Sequence, residues 1–201
     1  MSLRYDVLER ETAYEGYFRI VRYRVRHSLF SGGRSGILSR ECFERGDSVG
    51  VLPYDPVRDT VVLVEQFRIG ALGVAHGGPW LVEAVAGVVE PGESSEQVAR
   101  RELQEEAGCE PQELVPICRY LVSPGGASEQ VTLFCARLDT AGVGGIHGKA
   151  EEGEDIRVHI APFEQALAMV ANGAIHAAMP IIALQWLALN RERLQALWCG
   201  D

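Results

Sequence analysis

Apolar and polar residues alternate through YFRIVRYRVRH, residues 17 to 27, with Val21, Tyr23 and Val25 on one face and Arg22, Arg24 and Arg26 on the other. A period of two marks a half-buried antiparallel strand. Ser31, Gly32 and Gly33 supply a turn, and residues 37 to 43 return as a second strand. Residues 1–47 therefore read as a small N-terminal antiparallel-strand module. It is either a sheet packed on the main domain or a dimerisation arm carrying arginines near a phosphate site. From Ser48 the pattern changes to apolar runs, VGVLPY, TVVLVEQFRI and WLVEAVAG, which suit buried strands. A helix follows, then strands near residues 114 to 122, 130 to 138 and 156 to 160. Two helices, 162 to 171 and 180 to 197, close the chain, each opened by a proline suited to a first turn. Strands and helices mix without regular βαβ alternation, so residues 48–201 are expected to form an α/β/α sandwich on a mixed sheet. Residues 142 to 153 are glycine-rich and predict a mobile loop.

Composition narrows the function classes. A chain of 201 residues, 47% hydrophobic, can bury a sizeable core. A formal charge of −9 argues against a nucleic-acid grip built on Lys and Arg, so an anionic substrate needs divalent cations as intermediaries. The stretch from Gln165 to Asn190 lacks Lys, Arg, Asp and Glu and is long enough to cross a bilayer. Asn172, Gly173 and Pro180 interrupt it, so two core-packed helices are expected and no membrane span. Cys42, Cys109, Cys118, Cys135 and Cys199 are scattered and form no CxxC pair, which disfavours zinc or a disulfide framework. The charged start MSLRYDVLERE has no signal-peptide core, and the expected compartment is the cytoplasm. His27, His76, His147, His159 and His176 show no metal-ligand spacing and read as structural, and no Gly-x-Ser-x-Gly elbow points to a serine hydrolase.

The chemistry concentrates in GVVEPGESSEQVARRELQEEAGC, Gly87 to Cys109. Pro91 and Gly92 turn the chain, Ser94 or Ser95 can cap a helix of about 13 residues, and Gly108 is placed to end it in a left-handed conformation. Glu102 and Glu106 are four apart and Glu105 is three from Glu102, so the carboxylates project from adjoining faces within one turn. Like charges at this spacing destabilise a helix by a few tenths of a kcal/mol each, and hard cations with oxygen ligands would compensate them. A solvated acidic face is the bland alternative. Against it stands the whole spacing of Gly87, Glu93, Arg101, Glu102, Leu103, Glu105, Glu106 and Gly108, which chance composition produces less than about once in a million chains.

This segment resembles the box of the Nudix hydrolases, which cleave nucleoside diphosphates linked to another moiety. Cys109 departs from the family's bulkier aliphatic residue, a matter of packing rather than chemistry. Arg45-Gly46, DPVRD (55 to 59), EQFRIG (65 to 70), SPGGASE (123 to 129), EEGEDIRVHI (151 to 160) and ALQWLAL (183 to 189) extend the resemblance to ADP-ribose pyrophosphatases of the bacterial type. The resemblance implies a Nudix-type sandwich, a homodimer, a nucleotide-sugar substrate, and more than one Mg²⁺ ion, with Mn²⁺ as a substitute. It implies that Glu102, Glu106, Glu154 and the backbone carbonyl of Ala86 ligate the metal, with Glu105 close by. Glu93 and Arg101 look like the pair fixing loop to helix, and Glu152 looks like the general base. Arg68 is a candidate for phosphate or terminal-ribose oxygens, with a salt bridge to Glu65 as its alternative. Glu129 looks like a ribose-hydroxyl acceptor, beside Gly125 and Gly126, which let backbone approach a ligand closely. Arg40 and Glu41 resemble adenosine-side contacts, Arg45 belongs to the same matched set, and Tyr17 or Phe18 would stack on adenine from a partner subunit. The rival readings are a Nudix hydrolase of another nucleotide sugar such as GDP-mannose, and a non-catalytic nucleotide-sensing module.

Overall fold

The arginine-bearing strand Arg19–His27 (β2) is the middle member of a three-stranded antiparallel sheet, flanked by Tyr5–Glu15 (β1) and Leu38–Glu44 (β3) in a computed structural model that describes residues 2–74 and 77–199. Across this sheet Arg22 pairs with Glu11 and Glu41, Arg24 with Glu9, and Arg10 and Arg19 with Glu44. The arginine face is thus met by carboxylates of both neighbouring strands. β1 goes beyond the predicted strands: YDVLERETAYE is almost wholly exposed, so no buried face writes a period into it, and main-chain pairing to β2 forms it instead. His76 lies outside the described residues.

Contacts divide the chain into two compact units, residues 1–47 with 120–131, and 48–119 with 132–201. The segment 120–131, which the sequence leaves inside the larger domain, joins the first unit because Phe43 exchanges backbone hydrogen bonds with it. The Phe43 N–H donates to Gly126 O at 2.8 Å, and the Ser128 N–H donates to Phe43 O at 3.1 Å.

The second unit contains most of an eight-stranded mixed sheet. Its strands are Ser48–Asp55 (β4), Thr60–Phe67 (β5), Trp80–Glu83 (β6), Val85–Val88 (β7), Glu113–Leu121 (β8), Gln130–Arg137 (β9), Gly145–His147 (β10) and Ile156–Pro162 (β11). The path runs β10-β11-β5-β4-β9-β8, with β6 on β5 and β7 on β4. Alternation along the central strands separates two cores. Val49, Val51, Val62 and Val64 face one side, where they meet Val98, Ala99 and Leu103 of the helix Ser95–Ala107 (α1). Leu52, Tyr54, Val61 and Leu63 face the other, where Phe163 and Ala166 of Phe163–Ala171 (α2) and Leu184, Leu187, Leu194 and Trp198 of Ala178–Cys199 (α3) cover them. The expected α/β/α layering follows from this period of two.

Two expectations need correction. The run Trp80 to Gly87 is not one strand: it breaks at Ala84, where the chain leaves β5 and pairs with β4. Within the glycine-rich stretch 142 to 153, where a loop is expected, Ile146 pairs with Arg157 to add β10 as an edge strand, and a 3₁₀ turn forms at Ala150–Glu152.

Candidate active site

The box helix is built by local chemistry. Ser94 Oγ accepts from the Gln97 N–H at 3.3 Å and Gln97 Oε1 accepts from the Ser94 N–H at 2.8 Å, a reciprocal cap. Gly108 ends the helix at φ 63°, and its N–H returns to Gln104 O. Cys109 tucks into the core against the helix end, as a small apolar residue does. The buried stripe of α1 is Val98, Ala99, Glu102, Leu103, Glu106 and Ala107, so two carboxylates occupy positions that helical period assigns to apolar side chains.

Glu106 is the deeper of the two. Its Oε2 accepts from the Ala86 N–H at 3.0 Å and its Oε1 from Gln66 Nε2 at 3.4 Å. Desolvation, augmented by the nearby Glu102 charge, pushes its pKa up to about 8 despite the Ala86 hydrogen bond. Glu102 is raised as well, by burial first, with Glu105 and Glu154 adding to the effect and Arg101 opposing it. Its carboxylate lies against Gly87, where a Cβ would collide with Oε1, Cδ and Cγ of Glu102. Only glycine lets β7 approach the helix this closely.

Arg101 holds the turn to the helix. Its Nε and Nη2 each lie 2.9 Å from Glu93, Nη2 also reaches Val88 O, and Nη1 contacts Glu102 at 2.5 Å and Glu105 at 3.2 Å. Glu93 in turn accepts from the Glu90 N–H, so the residues read as a loop-to-helix tie make that tie.

The acidic loop reaches the same helix. The Gly148 N–H donates to Glu105 O at 3.1 Å, and Lys149 Nζ lies 3.0 Å from Glu105 and 3.3 Å from Glu152. Glu154 Oε2 accepts from the Lys149 N–H at 3.0 Å. The alternative reading of Arg68, a salt bridge to Glu65, does not form. Arg68 is extended, so residues three apart point to opposite faces, and its Nε bonds Glu83 of β6 at 2.6 Å. Glu65 instead takes Arg157 and His159 from β11. Sequence reading missed Gln66 and Lys149, although Gln66 lies inside the quoted EQFRIG and Lys149 is the only lysine in the chain.

The remaining candidates belong to the first unit. Tyr17, Phe18, Arg19, Glu44 and Arg45 line an open cavity there. Tyr17 is 95% exposed and sits edge-on to Phe18. The Arg45 guanidinium lies over the Phe18 ring and 3.5 Å from Glu129. Gly125 lies in the turn closed by the Gly126 N–H to Ser123 O. Arg40 bonds Ser39 O on its own strand, and Glu41 bonds Arg22 across the β2–β3 pair, so both are held within this sheet.

Among the described residues, no three His, Cys, Asp or Glu side chains are gathered tightly enough to hold an ion as they stand, since Arg101 and Lys149 lie among the carboxylates. The donor chemistry nevertheless fits a hard divalent cation. The metal-ligating atoms these side chains offer are carboxylate oxygens, and burial raises the pKa of both Glu102 and Glu106 even against the opposing pull of Arg101 on the first and Arg68 on the second.

Comparison with known proteins agrees with this geometry. A family model described as NUDIX domain matches residues 44–179. The chain is 48% identical to an ADP-ribose pyrophosphatase of Escherichia coli over 193 residues, covering 96% of this chain and 92% of that one. It is 45% identical to the ADP-ribose pyrophosphatase of Haemophilus influenzae over 195 residues, covering 96% and 90%. A GDP-mannose pyrophosphatase of an Enterobacter species is 30% identical over 190 residues, covering 94% and 98%. The crystal structure of an ADP compounds hydrolase superposes with a TM-score of 0.71 at 20% identity, covering 98% of each chain, which supports the fold. With its box helix, its sandwich and these relatives, the chain belongs to the Nudix family of hydrolases.

Proposed function

We propose that this hydrolase cleaves the pyrophosphate of ADP-ribose to AMP and ribose 5-phosphate. The observation that carries the reading is the gradient of similarity: 48% identity to a relative named for ADP-ribose against 30% to one named for GDP-mannose, both across nearly the whole chain. Nudix hydrolases generally use divalent metal ions. Here the ions would be Mg²⁺, with Mn²⁺ as a substitute and more than one bound, and Glu102, Glu106, Glu154 and the Ala86 carbonyl would hold them. When bound, such ions offset charge on the diphosphate and lower the pKa of a bound water.

The chain's own groups do the rest. Glu152 takes the proton from the attacking water, and Glu105 stands beside it across Lys149. Arg101 keeps Glu102 and Glu105 oriented, and Gly87 leaves Glu102 its place. Arg68 bonds phosphate or terminal-ribose oxygens through the part of its guanidinium fork not used by Glu83. Glu129 accepts ribose hydroxyls, Gly125 lets ligand approach, Arg40, Glu41 and Arg45 serve the adenosine side, and Tyr17 stacks on adenine from a partner subunit.

The same reading has the chain act as a cytoplasmic homodimer with no nucleic-acid or membrane partner. Five free cysteines suit a reducing compartment, a charge of −9 disfavours polyanions, and no described helix is long and apolar enough to cross a membrane. The test is to incubate the protein with ADP-ribose, GDP-mannose or NADH, with and without Mg²⁺, in isotopically labelled water. AMP and ribose 5-phosphate formed only with metal support the reading, and the labelled product locates the attack. Preference for GDP-mannose, or no turnover at all, overturns it. In the same assay Glu152→Gln is expected to lower kcat by about two orders of magnitude or more with metal affinity unchanged; near-normal turnover removes Glu152 as the base.

A further inference from the structure

Of the 19 Lys and Arg residues in the chain, 18 are arginine and Lys149 is the single lysine. It lies between β10 and the 3₁₀ turn, at the start of the acidic loop. Its ammonium sits between two carboxylates from elements far apart in sequence, 3.0 Å from Glu105 on α1 and 3.3 Å from Glu152 on the loop. Its backbone closes the same loop. The Lys149 N–H donates to Glu154 Oε2 at 3.0 Å, and Lys149 O accepts from the N–H groups of Glu152 and Glu154. The preceding residue donates its N–H to Glu105 O on the helix. Three turns of chemistry thus meet at one residue: helix, loop and the edge strand that delivers the loop.

We propose that Lys149 is a positioning residue, an internal cation that fastens the Glu151 to Glu154 loop to α1 and sets where Glu152 stands relative to the box carboxylates. This rests on the reading of Glu152 as the base. An ammonium suits the task because it is a compact point charge with rotatable donors and can serve two carboxylates that do not share a plane. Both partners favour its charged form, Glu105 most, so the bridge persists through neutral pH. Without it Glu105 and Glu152 present like charges to one another with no ammonium between them, and the loop keeps its main-chain bonds and the bond from the Lys149 N–H to Glu154.

The test compares Lys149→Met and Lys149→Arg with the parent protein by amide hydrogen exchange and by kinetics. Met keeps the length and apolar stem of the side chain and removes the charge. Arg restores the charge. In the Met variant the amides of Gly148, Glu152 and Glu154 are expected to exchange about tenfold faster or more, while those of α1 and the central strands do not change. With ADP-ribose and Mg²⁺, kcat is expected to fall by about 10- to 100-fold with KM within a factor of two, and Lys149→Arg to recover most of both effects. A sole ε-amine also permits a check that leaves Lys149 itself in place. Reductive methylation with labelled formaldehyde gives one side-chain NMR resonance, apart from that of the amino terminus, and Glu105→Gln is expected to shift it. Unchanged exchange in the Met variant, a resonance indifferent to Glu105→Gln, or loss of turnover without faster loop exchange each overturns the assignment. Should the parent protein leave ADP-ribose intact, the substrate reading fails while the exchange and NMR arms still decide the tether.

Discussion

Gly87→Ala isolates the close approach between β7 and the box helix. A Cβ at this position lies 2.5 Å from Glu102 Cγ and nearer still to its carboxyl group, whereas real Cβ contacts essentially never fall under 3.0 Å. Cγ must therefore withdraw by at least about 0.5 Å, and the carboxyl group by more than about 1 Å, a displacement that can cost on the order of 100-fold in rate. The backbone does not resist the substitution, since Gly87 is an extended strand residue paired with Val49. The displaced atoms are the far end of one side chain rather than main chain. Stability should accordingly fall by only about 1 kcal/mol, the low end for overpacking, or roughly 2–4 °C in Tm for a chain of this size. The assay is kcat and KM on ADP-ribose, with metal affinity and Tm measured on the same samples. The expected pattern is a loss of about 100-fold in kcat/KM with weakened metal binding and a nearly normal Tm. A double-mutant cycle sharpens it: added to Glu102→Ala, Gly87→Ala should cost no further activity, because the group it displaces is already gone. Turnover and metal affinity within about threefold of the parent, or full additivity in the cycle, would refute the account of Gly87 as a seat for Glu102.

The raised Glu106 pKa carries a pH signature with a definite sign. Between about 4.5, the ordinary carboxylate value, and about 8 the folded state keeps a proton that the unfolded chain has released. Metal-free protein should lose a few kcal/mol of stability as pH rises through that window and level off above it, at about 1.4 kcal/mol per pKa unit. Urea unfolding in chelator at pH 5 and pH 8 measures this, and Glu106→Gln should flatten the difference while keeping an acceptor for the Ala86 N–H. Ser94→Ala removes the reciprocal cap and should cost about 1 kcal/mol in the same unfolding assay with kcat changed less than twofold, since the cap is at the far end of α1 from Glu106.

What the sequence makes legible divides along the range of the interactions involved. The box helix can be read in full because its determinants are local: a capping serine, a left-handed glycine and a period that fixes which residues share a face. Strands β4 and β5 are as clear, since each is buried on both faces and writes that burial as a continuous apolar run. β1 and β10 are hidden for the opposite reason. Both are exposed edge segments held by main-chain pairing, which any side chain permits. The partner of Arg68 escapes because Glu65 is near in number but on the wrong face of an extended chain, whereas Glu83 arrives only when β6 pairs with β5. Lys149 meets Glu105 by the same route, through the pairing of β10 with β11.

Glu102 and Glu106 are where local folding rules and chemistry part. The stripe 98, 99, 102, 103, 106, 107 is the face that α1 turns to the sheet, and a helix chosen only for stability would fill it with aliphatic side chains. Two carboxylates there cost desolvation that neither one hydrogen bond from Ala86 nor a part share of Arg101 offsets, and the raised pKa values register the shortfall. A divalent cation brought to this spot would offset that shortfall. Replacing Glu102 and Glu106 with leucine and methionine therefore separates the two demands: unfolding free energy of the metal-free protein should rise, while divalent-metal binding and turnover are lost together. A double variant less stable than the parent in chelator would show that the two buried carboxylates serve the fold itself.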